Sequence, residues 1–371
     1  MSEPEDPVRR APPAQPPLEV IRRFLGDATT SVAIAPLGAG LINRTYRLDG
    51  AAGAFVLQGI NPGVFPAPER IMANLARLGE AAADHPDLGV RLPTLAYAED
   101  GLPYVRDADG TCWRLMECIE PSRTLQRLDS VAQATEVGRT LGRFHRLGAL
   151  LDTDVMAVTL PGFHHTPKYL AALDAAAGET DSHADVADAL SFINARREAV
   201  PVLEHALARG RTSRRLIHGD PKLDNLLFDP TGCRALCLID LDTVQPGLLH
   251  HDIGDCLRSC CNRGGEAGDT GAGARFDVEL CGAILAGYAE ASSGLLSADE
   301  LQLMTPAVRL IPLELGIRFL TDHLQGDRYF RVRYRGENLH KARRQLALVA
   351  DIERQQGAID AAVLDAFARH G

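Results

Sequence analysis

Residues 214–247 constrain this chain more than any other stretch: RRLIHGDPKLDNLLFDPTGCRALCLIDLDTVQPG. An apolar strand leads into His218, Gly219 and Asp220, and Asn225 follows five residues after the aspartate. A second apolar strand then delivers Asp240, fifteen residues after Asn225. Any one of these residues alone would read as a cap or a turn. The ordered set is more specific. Phosphoryl transfer needs an acceptor for the attacking hydroxyl's proton and hard oxygen ligands that hold Mg²⁺ on the phosphates. An Asp, an Asn and a second Asp at strand and loop ends supply those parts at the required spacing.

The surroundings of this motif divide the chain. At 371 residues it exceeds what one compact core usually accommodates, so two lobes are expected. Leu18, Ile21, Phe24 and Leu25 recur at helical spacing. The β-type stretches Val32–Leu37, Arg44–Leu48 and Ala54–Ile60 follow, separated by LGAGLIN and DGAAG, which carry the glycine that tight turns need. Pro68 opens a helix with apolar spacing at Ile71, Leu75 and Leu78, and short strands are expected near Leu102–Val105 and Cys112–Ile119. Beyond Pro121 the periodicity is helical: Asp129–Leu150, Lys168–Ala177, Asp185–Arg209, then, past the β-rich motif, Asp252–Asn262, Asp277–Ser292, Asp299–Leu324, Asn338–Glu353 and Ile359–Arg369. The expectation is an α+β chain. Residues 18–120 form a small antiparallel-sheet lobe, residues 121–371 a larger helical lobe, and the cleft lies between them. Residues 1–17 are rich in proline and read as a disordered arm, and the glycine-rich stretch Arg263–Arg275 reads as a mobile loop.

Composition removes other classes. The formal net charge of −10 argues against generic nucleic-acid or anionic-membrane binding. No apolar run approaches the roughly 20 residues needed to span a bilayer. The N-terminal residues lack the apolar region of a secretory signal. Eight cysteines without a Cys-x-x-Cys pair or zinc spacing point to reduced thiols in a cytoplasmic protein. Nothing in the sequence sets an oligomeric state.

HGDPKLDN followed by IDLDT resembles the aminoglycoside phosphotransferase and choline kinase superfamily, which shares the protein-kinase-like fold. The segments LGAGLINRTYRL, FVLQGINPGVF, WRLMECIEPSRTL, IDLDTVQPG and GIRFLTDHLQGDRYF look most like the N-acetylhexosamine 1-kinase branch. The resemblance implies a two-lobe kinase using ATP and Mg²⁺, with residues 18–120 binding the nucleotide and residues 121–371 catalytic and substrate-binding. Asp220 would be the catalytic base and would contact the acceptor, Asn225 and Asp240 would hold Mg²⁺, and His218 would brace the loop. Gly38 and Gly40, with Asn43 and Thr45, would approach the nucleotide phosphates. Gln58 stands where most kinases carry a strand lysine, a replacement that this branch tolerates. The main chain of Met116–Ile119, Glu117 and Ile119 in particular, would meet the adenine edge.

Arg318 and Tyr329 match sugar-contacting positions of the hexosamine kinases. Leu41, Gly59 and Ser259 depart from that branch, where a His, an Arg and an aromatic residue are found. The expected substrate is a sugar-like small molecule, phosphorylated on a hydroxyl. An antibiotic-modifying aminoglycoside phosphotransferase is the first alternative, and a nucleotide-binding pseudokinase the second.

Overall fold

The computed structural model describes residues 15–38, 42–51, 53–178, 185–265 and 273–369. Most of the expected N-terminal arm, Gly40, Leu41 and the middle of the glycine-rich stretch lie outside the described residues. The chain forms two compact units. One takes the residues up to Ala76 and Pro93–Glu120, the other Arg77–Leu92 and the chain from Pro121 onward.

In the first unit, helix α1 (Leu18–Leu25) precedes strands β1 (Ala33–Pro36), β2 (Arg44–Gly50) and β3 (Gly53–Gly59). Helix α2 (Pro68–Asp84) and strands β4 (Val105–Arg106) and β5 (Cys112–Glu117) follow. The strands make one antiparallel sheet in the order β1-β2-β3-β5-β4. Alternation along each strand sorts its side chains. Tyr46, Leu48, Leu57, Trp113 and Leu115 bury one face against Val20 and Ile21 of α1. On the reverse face, register aligns Thr45 with Gln58 and Gln58 with Arg114, a polar row across three strands.

The second unit holds α3 (Val131–Gly148), α4 (Thr166–Gly178), α5 (Ala187–Asn194) and α6 (Val202–Ala208), then the short strands β6 (Arg215–Ile217), β7 (Leu226–Phe228), β8 (Ala235–Leu238) and β9 (Gln245–Gly247). Helices α7 (Leu249–Cys260), α8 (Val278–Ala291), α9 (Ala298–Leu301), α10 (Met304–Leu324), α11 (Glu337–Arg354) and α12 (Gln356–Ala368) complete it. The strands pair antiparallel as β6–β9 and β7–β8. Leu170, Leu173, Ile193, Leu313, Ile317, Leu320, Leu346 and Val349 form a core where α4, α5, α10 and α11 meet. The antiparallel sheet followed by a helical region is the expected kinase-like architecture.

Two expected helices are divided. Asp185–Arg209 breaks into α5, a 3₁₀ turn at Arg197–Ala199 and α6, whose N-cap Pro201 lacks the N–H that an interior helical position would need. Asp299–Leu324 becomes α9, opened by a capping box between Ser297 and Glu300, and then α10, the two parted at Gln302 and Leu303. The second apolar strand is also shorter than expected. β8 ends at Leu238, and Leu241–Thr243 is a 3₁₀ turn, so Asp240 and Asp242 do not share a strand face.

Of the eight cysteines, six are buried, Cys118 is half-buried and Cys233 is exposed in the β7–β8 turn. Burial pushes the Cys112 thiol up to about 11 and holds Cys118 above its ordinary value.

Helices α3 and α8 approach until backbone meets backbone. A Cβ on Gly138 would lie 1.9 Å from the Ile284 carbonyl oxygen, and one on Gly287 2.1 Å from that of Thr135. Neither contact leaves room for even a methyl group, so the helices would have to separate. Gly287→Ala should therefore lose about 2–3 kcal/mol of stability, the scale of an overpacked core. Gly79→Ala in α2, where an added Cβ meets nothing within 4 Å, should match or exceed the wild type. Thermal melts of the two variants provide the comparison, and equal melting temperatures would refute the packing argument.

Candidate active site

Strand β6 ends immediately before His218, and the next residues turn sharply. Gly219 has φ +89°, and a Cβ there would lie 2.8 Å from Thr243, so the position requires glycine. Its amide N–H donates to Asp252 Oδ1 at 2.8 Å, and the His218 N–H donates to Asp252 Oδ2 at 2.6 Å. His145 Nε2 lies 2.9 Å from the same Oδ2, while its Nδ1 meets the Tyr288 hydroxyl. Asp252 is fully buried in α7. Burial alone would raise its pKa, but the His145 hydrogen bond and charge, with His218, hold the carboxyl below the ordinary carboxylate value.

His218 braces the loop. Its Nε2 lies 3.1 Å from the Ile239 carbonyl, and its Nδ1 accepts from the Asp220 N–H. Burial lowers its pKa, so the ring is neutral and Nε2 carries the proton. Asp220 stands beyond it. Lys222 Nζ lies 2.7 Å from Asp220 Oδ2, and Asn225 Nδ2 lies 2.9 Å from the same oxygen and 2.8 Å from the Asp220 carbonyl. Among the described residues Oδ1 has no hydrogen-bond partner. Burial opposes the charge on Asp220, but Lys222, then His218 and Arg258, outweigh it and lower the pKa. The result is an ionised carboxylate with one oxygen committed and one available.

Asn225 spends its amide hydrogens on Asp220, which leaves its amide oxygen for another partner. Asp240 is exposed and sits in the left-handed region at φ +63°, a conformation that costs a non-glycine residue free energy. Asp242 is buried. Among the described residues no three His, Cys, Asp or Glu side chains form a closed metal cage. The amide oxygen of Asn225 and the carboxylate of Asp240 are hard donors that fit Mg²⁺, which fills its remaining positions with phosphate and water.

Arg318 lies in α10, with its guanidinium carbon 5.5 Å from the Phe163 ring centroid, 5.0 Å from Tyr169, 5.9 Å from Tyr329 and 5.4 Å from Phe330. Glu314, one turn earlier, is committed to His164 and Thr166. Tyr329 is 54 % exposed and belongs to a loop gathered by Asp322, whose carboxylate accepts the N–H groups of Arg328, Tyr329 and Phe330. Burial opposes the charge on Arg318, but Tyr169 and Glu314, then Tyr329 and Asp220, hold the guanidinium above its ordinary value.

The first unit carries the other expected positions. Gly38 has φ +70°, and Leu37 N–H donates to the Thr45 carbonyl across the turn. Asn43 Oδ1 accepts from the Asn61 N–H at 3.0 Å, and Gln58 Nε2 donates to Thr45 Oγ1 at 3.1 Å. The fully buried Arg114 donates to Gln58 Oε1 through Nε and Nη2, at 3.1 and 2.7 Å. Glu117 ends β5, its N–H committed to the Thr94 carbonyl, and Ile119 is buried.

Two departures from the expected sugar contacts have local causes. Gly59 lies flat on Trp113, where a Cβ would be 3.0 Å from the ring. Ser259 is buried, and its Oγ accepts the Leu223 N–H under the catalytic loop.

Sequence reasoning missed Lys222, Arg114 and Asp252. A lysine two residues from Asp220 was a local signal. Asp252 was marked only by a polar run, HHDIGD, in an otherwise apolar context. Asp252→Asn would set an amide NH₂ against a buried N–H, so it should cost about 2–4 kcal/mol. The wild-type contribution is present above the unfolded carboxylate pKa and is lost as pH falls through the depressed folded value. Melting curves should therefore keep their gap from pH 8 down to about pH 4 and converge only below it, and a gap that persisted unchanged well below the unfolded carboxylate pKa would exclude Asp252 as the source.

Comparison with known proteins agrees with this fold. The profile of the Phosphotransferase enzyme family matches residues 33–292. A microcompartment-associated aminopropanol kinase superposes with a TM-score of 0.65 at 17 % identity, covering 92 % of this chain and 97 % of that one. An aminoglycoside phosphotransferase from Alicyclobacillus acidocaldarius gives 0.61 at 17 % identity, with 96 % and 98 % covered. A phosphotransferase solved with GDP and kanamycin gives 0.57 at 14 % identity, with 91 % and 98 % covered.

Proposed function

We propose that this chain, which belongs to the phosphotransferase enzyme family, transfers the γ-phosphoryl group of ATP to a hydroxyl of a neutral or anionic sugar or amino sugar. Membership makes it a phosphotransferase of hydroxyl-bearing small molecules. The acceptor class rests on Arg318. Its guanidinium already occupies the aromatic surroundings formed by Phe163, Tyr169, Tyr329 and Phe330, where a cationic substrate would otherwise gain from the ring faces. A polycation would meet that charge as repulsion, whereas sugar hydroxyls accept from guanidinium donors. Exposed Arg328, Arg331, Arg333 and Arg335 reinforce the sign.

In this reading the acceptor hydroxyl lies against Asp220 Oδ1 and gives up its proton there as the phosphoryl group arrives. Asn225 and Asp240 hold Mg²⁺, which when bound neutralises phosphate charge. Lys222 adds a cation beside the reacting groups. Gly38, Gly40, Asn43, Thr45 and Gln58 receive the nucleotide phosphates, and the main chain of Glu117 and Ile119 receives the adenine edge. Arg114 fixes the Gln58 amide so that its NH₂ faces Thr45 and the incoming phosphates. Tyr329 and Arg318 orient the sugar.

Asp220→Asn should retain nucleotide binding by calorimetry and lose about 100-fold or more in turnover, the scale of a lost general base. Because the Asp220 pKa lies below the ordinary carboxylate value, this base should impose no acid limb on kcat between pH 5 and pH 8. ADP release over sugars, amino sugars, amino alcohols and aminoglycosides tests the acceptor. Turnover of kanamycin-type compounds with none of any sugar would replace the sugar reading with the aminoglycoside one, and release from no acceptor would favour a nucleotide-binding pseudokinase.

A further inference from the structure

His164 sits in the loop before α4, 5 % exposed, with φ +56°. Its Nε2 lies 2.9 Å from the Gly219 carbonyl oxygen, one residue before Asp220. Its Nδ1 lies 3.0 Å from Glu314 Oε1, and Glu314 Oε2 accepts the Thr166 hydroxyl at 2.7 Å. A carbonyl oxygen only accepts, and an ionised carboxylate only accepts. Both contacts are therefore satisfied when both ring nitrogens donate. A non-glycine residue held in a left-handed conformation with two acceptors on its ring marks a position that its surroundings over-determine.

We infer that His164 is a positioning residue of the phosphoryl-transfer reaction, an imidazolium bridge that ties the Gly219–Asp220 turn to the helix carrying Arg318. The inference rests on the reading of Asp220 as the base. The bridge joins the loop that carries the base to the helix that carries the acceptor contact, so it fixes the Oδ1 position relative to the acceptor. Misplacing a reacting group by an ångström costs about 100-fold in rate.

The neighbouring charges agree with the bridge. Burial opposes the charge on His164, but Glu314, then the Gly219 carbonyl and Asp255, raise its pKa. Glu314 is lowered correspondingly: burial would raise it, and His164, with Arg318 and Thr166, outweighs that. On α7, His251 stacks on His164 with ring centroids 4.9 Å apart. Burial first, and the charge of His164 second, push the His251 pKa well down, so a neutral ring faces the cation. On α6, Glu204 is raised first by its own burial and further by Glu314 as a like neighbour.

The pair carries one proton beyond what a neutral His and an ionised Glu hold. As pH rises through the raised His164 pKa that proton leaves, one of the two links is lost, and turnover falls on the alkaline side. Glu314→Gln replaces the carboxylate with an amide that donates to Nδ1 and accepts from Thr166, so a neutral His164 keeps both links with no proton to lose. His164→Asn tolerates the left-handed backbone but cannot span both acceptors.

The test uses the full chain with MgATP and whichever panel acceptor turns over fastest. His164→Asn should lower kcat at least 10-fold, with the nucleotide KM within about twofold and with the folded fraction, read from circular dichroism and the thermal melt, equal to that of the wild type at the assay temperature, which separates misplacement from a loss of folding. Glu314→Gln should retain kcat within about threefold and lose the alkaline limb. ¹⁵N spectra of histidine-labelled wild type should show both His164 nitrogens protonated at pH 7.5, assigned by their absence in His164→Asn. Full kcat in His164→Asn, or a neutral-tautomer pattern in the spectra, would overturn the bridge. Asp220→Asn runs alongside: its retained activity would sink the base assignment, whereas its loss beside an unaffected His164→Asn would sink the bridge alone.

Discussion

One buried carboxylate holds the catalytic loop in place. Asp252 accepts two consecutive main-chain N–H groups and a histidine from three directions, and each donor would otherwise be unsatisfied away from water. The anchor sets the turn at Gly219, the turn aims Asp220, and Asp220 in turn orients Asn225 through its amide. The carboxylate stabilises a particular loop shape more than it stabilises the fold. That shape leaves one oxygen of Asp220 committed to Lys222 and Asn225 and the other available.

The motif itself was legible because its chemistry is local. Asp220, Asn225 and Asp240 lie within one strand–loop–strand segment, so their spacing pointed to phosphoryl transfer, the chemistry of the family to which the chain belongs, while the role of each residue belongs to the proposed reading. The helical stretches were legible for the same reason, apolar residues recurring every three or four positions. The limits were punctuation: the stretches read as single helices are interrupted between Asn194 and Val202 and again at Gln302 and Leu303, although the apolar periodicity runs through both. The supporting groups were invisible for a different reason. Asp252 reaches the loop across 34 residues, Arg114 reaches Gln58 across 56, and His164 reaches Gly219 across 55. No periodicity or local spacing encodes such pairs, because they exist only once the chain has folded.

The departures from the expected sugar contacts become informative once their surroundings are known. A Cβ at Gly59 would lie 3.0 Å from the Trp113 ring, so any larger residue there requires the buried indole to give by a few tenths of an ångström. Ser259 serves the catalytic loop from below through Leu223. Both positions are thus committed to supporting the fold, and in the proposed reading acceptor selection falls to Arg318, Tyr329 and the loop gathered by Asp322. The missing strand lysine has a comparable explanation. Gln58 sits beside a buried arginine, so the positive charge is retained one strand away and expressed through an oriented amide.

The distribution of thiols gives the molecule a practical property unrelated to catalysis. Cys233 alone among the eight cysteines is exposed, in a turn between two short strands, while six others are buried and Cys118 is half-covered with a raised pKa. Thiolate formation and access both govern alkylation, so a maleimide dye offered at neutral pH has one favoured address. The native chain therefore accepts a single fluorophore or surface tether without engineering, attached in the turn between β7 and β8. Turnover and conformational fluctuation can then be followed on individual molecules.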